Sequence, residues 1–224
     1  MTAAPDDAGF AAEIYKRLLA AYGYPDWRPG NPPMDELVQT ILSQNTSDIN
    51  SGRAFADLRA RYESWQEIMD APAAEVAAAI RAGGLAEQKA PRIQAALRRI
   101  VTERGEFSLE FLADMPRDEA LAWLTSIDGV GPKTASIVLL FCFGAAAFPV
   151  DTHVARVSRR LGIVDPKTSP EKIQARWEAL VPASQFYPLH LNLIRHGRQI
   201  CRAPIPHCSV CTLNDICRYP AKTM

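Results

Sequence analysis

Apolar positions recur at helical spacing along most of the chain. In AAEIYKRLLAAYG, residues 11–23, they fall on one stripe, and Gly23 supplies the stop. The Pro- and Gly-rich link YPDWRPGNPP, residues 24–33, follows and marks a candidate boundary. MDELVQTILSQ (34–44), INSGRAFADLRARY (49–62) and AAEVAAAIRAGG (73–84) predict three successive helices, the last closed by Gly83 and Gly84. KAPRIQAALRRIVTERG (89–105) and PRDEALAWLTSI (116–127) continue the series. No stretch alternates long enough to make a strand, so the pattern predicts an all-α protein of two helical layers joined by short loops.

Composition narrows the class without changing that picture. With 224 residues, 48% hydrophobic and 22% charged, the chain has ample core for one large domain or two small ones. Its longest apolar run, ASIVLLFCFGAAAF (135–148), is too short to cross a bilayer and contains Gly144, so no membrane partner is expected. The opening MTAAPDDAGFAAE has neither the apolar core of a secretory signal nor the Arg-rich face of a transit peptide, which predicts a cytoplasmic, reducing location. Net charge is zero, which by itself argues against nucleic acid. Yet residues 1–150 hold 14 Lys and Arg against 20 Asp and Glu, while residues 151–224 hold 11 against 5. A basic last third can present a positive face to an anion; a solvated helical surface would have the same composition.

Three local patterns carry candidate chemistry. Cys201, Cys208, Cys211 and Cys217 are spaced C-x6-C-x2-C-x5-C, and clustered thiols in a reducing compartment more often bind metal than form disulfides. Cys142, among Leu139, Leu140, Phe141 and Phe143, is expected in the core. In WLTSIDGVGPKTASIVLLFCFG, the turn Asp128-Gly129-Val130-Gly131 precedes Pro132, a good first residue for a new helix. Two glycines permit close backbone approach, and the N–H groups at a helix start suit a phosphate, although a plain helix–helix connection needs the same residues. Lys133, one of six lysines, lies in the first turn of that apolar helix, where desolvation and the positive helix end favour the neutral amine, a usable nucleophile. The bland alternative is a snorkelling surface lysine. Asp151, in FPVDTHVARVSRRLG, suits the N-cap of the basic helix that follows.

Taken together, these patterns resemble the endonuclease III family, DNA glycosylase/AP lyases of the helix-hairpin-helix superfamily, over about Met34 to Tyr219. The resemblance implies that Cys201, Cys208, Cys211 and Cys217 bind a [4Fe-4S] cluster that ties down the C-terminal loop and is not the catalyst. Tetrahedral zinc also suits four cysteines, but zinc sites usually pair two C-x2-C knuckles, and only Cys208 and Cys211 have that spacing. The resemblance further implies that Lys133 attacks C1′ of a damaged nucleotide, with Asp151 supporting the amine and the developing positive sugar. Gly129, Val130 and Gly131 then form the hairpin that holds DNA phosphate. LSQNTSD (42–48) occupies the place of a loop whose inserted side chain is Gln44 or Asn45, and Leu85 resembles an apolar wedge entering from the other side. From its neighbours alone, Leu85 is equally a core leucine after a helix end. Two positions depart from the family: Asp128 stands where proline is more usual, and RAPIPH (202–207) is less basic. Both predict weaker DNA binding with the chemistry intact.

The expected architecture is therefore two helical domains flanking a DNA-binding cleft. A six-helix barrel with the helix-hairpin-helix covers 31–145, and 1–30 with 146–224 form the domain with the cluster loop. The expected activity is excision of oxidised pyrimidines from double-stranded DNA containing a damaged base or abasic site, with strand cleavage, by a monomer. An adenine-type monofunctional glycosylase is one rival, although such proteins usually lack the lysine. A non-catalytic DNA-binding hairpin protein is the other, against which Lys133 and Asp151 together argue.

Overall fold

The computed structural model describes residues 7–28 and 30–219. Every regular element among them is helical, with eleven α-helices, four short 3₁₀ segments and no strand, as the apolar spacing predicted. None of the described helices is long and apolar enough to cross a membrane. Two compact units divide the chain: Met1–Arg28 with Gly144–Met224, and Pro29–Phe143.

The discontinuous unit begins with α1 (Asp7–Tyr22). The continuous unit then holds α2 (Pro33–Ser43), α3 (Asp48–Arg61), the six-residue α4 (Trp65–Asp70), α5 (Ala73–Ala79), α6 (Ala86–Arg104), α7 (Arg117–Thr125) and α8 (Pro132–Phe143). The discontinuous unit resumes with α9 (Thr152–Leu161), α10 (Pro170–Leu180) and α11 (Phe186–Gln199). Short polar side chains set several of these starts. Ser47 and Ser64 cap α3 and α4, their hydroxyls accepting from Asn50 N at 3.3 Å and Glu67 N at 3.2 Å. Pro33 and Pro170 fill first-turn positions that need no N–H donor.

In the continuous unit, α6 turns Ile93, Leu97 and Ile100 inward at spacings of four and three. They pack in a core that includes Leu37, Ile41, Leu58 and Ile80, all fully buried. Leu97→Ala there costs roughly 2–5 kcal/mol by the usual large-to-small penalty. The discontinuous unit is organised around Phe148, whose ring lies 5.6 Å from Phe186 and 6.1 Å from Trp177. The Trp177 indole donates to Ser158 Oγ at 2.8 Å, so even this buried polar group is satisfied.

Two details differ from the sequence pattern. The helix expected over 73–84 ends at Ala79, and a 3₁₀ turn, Arg81–Gly83, replaces its last part. Gly83 is packed so closely against α3 that a Cβ there would lie 3.1 Å from Ala54 Cβ. Cys142 is half-buried rather than in the core: its Sγ reaches Asn31 O at 3.6 Å, and partial burial pushes the thiol up to about 12. Its position on α8 faces a polar loop, which a local run of apolar neighbours does not reveal.

Candidate active site and metal centre

The hairpin joins α7 to α8. Val130 N donates to Ile127 O and Ala135 N to Gly131 O, each at 3.0 Å, so the turn runs directly into the new helix. Gly129 has φ +80°, which favours glycine, and a Cβ there would lie 3.0 Å from Arg92 Cδ and press on that side chain. Val130 is buried and pins the turn to the core. Residues Thr125 to Gly131, with Gln44 and Arg92, line an open concavity. The first N–H groups of α8 have no intrahelical partner, and the positive helix end favours an anion. Asp128 is exposed in this concavity, which Arg92 from α6 also lines. Sequence patterns gave no sign of Arg92, because nothing local connects it to the hairpin.

Two loops flank that turn. Gln44 Nε2 donates to Gly129 O at 3.0 Å, tying the loop after α2 to the hairpin. Asn45 is exposed at φ +54°, and Leu85 is 45% exposed at φ +52°. Leu85 is therefore no core leucine. These two are the only non-glycine residues at positive φ among the described residues. Left-handed backbone costs an L-residue about 1–2 kcal/mol, and such strain persists mainly at functional positions.

Lys133 is the second residue of α8 and is half-buried beside the buried Thr134 and Ala135. Asp151 belongs to the other unit. It is half-buried and caps α9, its Oδ1 accepting from Val154 N at 2.7 Å. The capping role expected from its position is thus formed.

Cys201, Cys208, Cys211 and Cys217, none of them in a disulfide, line one cavity. Among the described residues, no three His, Cys, Asp or Glu side chains converge as a single-ion site requires. Zinc, with bonds of about 2.3 Å to sulfur, needs that convergence; thiols spread round a shared cavity suit a larger polynuclear group. Donors already face the sulfurs: Leu213 N lies 3.4 Å from Cys211 Sγ and Arg160 Nη1 3.5 Å from Cys201 Sγ. Burial pushes the Cys211 thiol up to about 11 and His196, 3.7 Å from that sulfur, down to about 4. A thiolate at Cys211 is therefore disfavoured until a cationic guest is bound.

The loop carrying these cysteines is braced by arginines. Arg156 donates to Cys201 O at 3.0 Å and Gly197 O at 2.8 Å. Arg160 donates to Arg202 O at 2.6 Å and Pro204 O at 3.2 Å, while Arg159 donates to Thr168 O at 2.6 Å. From α1, Arg17 pairs with Asp215 and donates to Thr212 O. Three half-exposed arginines of the last third thus donate to carbonyls while keeping their charge.

Residues 38–183 match the family described as HhH-GPD superfamily base excision DNA repair protein. Endonuclease III of Thermotoga maritima is 34% identical over 209 residues, covering 93% of this chain and 91% of that protein. A protein of Arabidopsis thaliana carrying the name DNA glycosylase is 39% identical over 165 residues, 74% of this chain; the match spans only 56% of that relative. A solved structure of a trapped endonuclease III–DNA covalent intermediate superposes with TM-score 0.82 at 26% identity, covering 94% of this chain and 95% of that one. The chain belongs to the HhH-GPD superfamily of base excision DNA repair proteins, and within it to the endonuclease III-like DNA glycosylases.

Proposed function

We propose that the chain is a bifunctional DNA glycosylase/AP lyase that excises oxidised pyrimidines from duplex DNA and cleaves the strand 3′ to the abasic site. The observation that carries it is Lys133, a half-buried amine in the first turn of the helix leaving the glycine hairpin. A structural relative captured as a covalent intermediate with DNA supports an amine in that role. Lys133 Nζ attacks C1′ of the extruded nucleotide, the bond from C1′ to the base breaks, and the base leaves. The sugar opens to an imine. Loss of a proton from C2′ then expels the 3′ phosphate, and water hydrolyses the imine to free the lysine. Asp151 is assigned the carboxylate that supports the amine and the positive sugar.

The hairpin of Gly129, Val130 and Gly131 takes a phosphate, with Arg92 adding attraction. Asn45 and Leu85 are the side chains that enter the opened duplex. Asn45 is favoured over Gln44 because the Gln44 amide already holds Gly129 O, whereas Asn45 is exposed. Cys201, Cys208, Cys211 and Cys217 would hold a [4Fe-4S] cluster, which supplies a cross-link for the loop and no reaction step.

A duplex with one oxidised pyrimidine, and the same duplex with a preformed abasic site, test this reading. Strand scission of both is expected. Base release without scission would make the protein a monofunctional glycosylase, and binding without either reaction would make it a non-catalytic DNA-binding protein.

A further inference from the structure

Among the described residues, Lys89 is the only Lys, Arg, Asp or Glu that is buried, with 1% exposure, and no step above uses it. It lies in the first turn of α6, and its Nζ donates to Leu42 O at 2.6 Å and Gly83 O at 2.8 Å. Burial pushes its ammonium below the usual lysine range. Burying an ammonium is costly unless its donors are met, and here two backbone carbonyls meet them. Both carbonyls have positional meaning. Leu42 O belongs to the last turn of α2, where helical carbonyls lack N–H partners and the dipole favours a cation. Gly83 O ends the 3₁₀ turn packed against Ala54. Asn45 follows the first carbonyl by three residues, and Leu85 follows the second by two. The two strained residues thus leave the two points that Lys89 joins.

We propose that Lys89 is a positioning residue that ties the Asn45 loop to the Leu85 turn and presents both side chains as one preformed pair to an opened DNA duplex. This rests on the function proposed above. Opening a duplex costs a few kcal/mol of stacking and pairing for each nucleotide extruded. Side chains already held in place lose less freedom on entering it, so more of their contact energy offsets that cost. Without the tie, both left-handed residues are free to relax to ordinary backbone, and the pair no longer meets the DNA in register.

The test compares the full-length parent with Lys89→Met, which keeps an unbranched chain one atom shorter and removes the donors. Two substrates are used: a duplex with one oxidised pyrimidine, which must be opened, and a single-stranded oligonucleotide with an abasic site, which need not be. A parent that cleaves neither refutes the proposed function itself, separately from this inference. With an active parent, Lys89→Met is expected to slow duplex cleavage about tenfold or more and single-strand scission less than about threefold. A fluorescent base analogue beside the lesion should show correspondingly less unstacking. Equal losses on both substrates would make Lys89 merely a support of the fold, and no loss would make the tie dispensable; either result overturns the proposal. If Lys89→Met does not fold, Lys89→Arg, which keeps charge and donors but alters their reach, is judged by the same ratio of rates. In a cycle with Leu85→Ala, the double variant should lose less than the product of the single losses, because Lys89 acts through that turn. Independent, multiplicative losses would count against it.

Discussion

The cysteine loop and the glycine hairpin treat their polar groups in opposite ways. Around the cysteines, Arg156 and Arg160 turn inward and donate to loop carbonyls, and Arg17 and Asp215 pair across the loop's outer part. At the hairpin, Asp128 and Gly131 stand exposed and Arg92 half-exposed round an open concavity. A region satisfied from within is suited to a permanent guest, because nothing more is needed once the guest is in place. A region left open is suited to a partner that arrives and leaves. Variants in the first should therefore be read in folding and metal content, and variants in the second in DNA binding and rate with the fold unchanged.

The largest effect should come from Cys208→Ser. The parent, prepared anaerobically, should contain about four irons per chain, and the variant should lose both iron and cooperative melting of its unit. Cys142→Ser should retain both, because Cys142 does not line the cavity of the other four. Stoichiometric zinc without iron in the parent would end the cluster assignment. Next, Lys133→Gln should abolish strand scission while changing duplex affinity by less than about threefold, since only the nucleophile is removed. Asp151→Asn separates two roles of one residue. Asparagine caps a helix about as well as aspartate, so melting should move by only a degree or two while the rate falls at least about tenfold. A large drop in melting temperature with an unchanged rate would leave capping as its whole role.

The smallest effect is expected at the hairpin rim. Asp128→Asn should tighten binding to undamaged duplex a few-fold at low salt, and the gain should fade as salt screens the site. Arg92 lines the same concavity, so the change is expected to be smaller than Asp128 alone would suggest.

What was legible in the sequence follows the range of the signal. The helical class appeared because apolar spacing is local, and α3 and α4 announce their starts through Ser47 and Ser64. The cysteine spacing and the run from Gly129 to Lys133 are also local; the cysteines line one cavity, and the run lies at the turn into α8. The rest depends on residues distant in the chain. Arg92 against Gly129, Lys89 joining Leu42 to Gly83, and the inward arginines of α9 are all long-range contacts. Periodicity cannot report them, and charge counts do not show which arginines bind carbonyls. Leu85 shows the same limit in another form: its composition suits a core, and only its left-handed backbone and exposure set it apart.

Borohydride reduction of the reaction on an abasic duplex tests the central claim most directly, because it converts an imine between enzyme and sugar into a stable bond. Mass mapping of the trapped adduct should place the DNA fragment on the peptide containing Lys133, and Lys133→Gln should give no adduct. An adduct on Lys89 or another amine, or full trapping by Lys133→Gln, would contradict the assignment of the nucleophile.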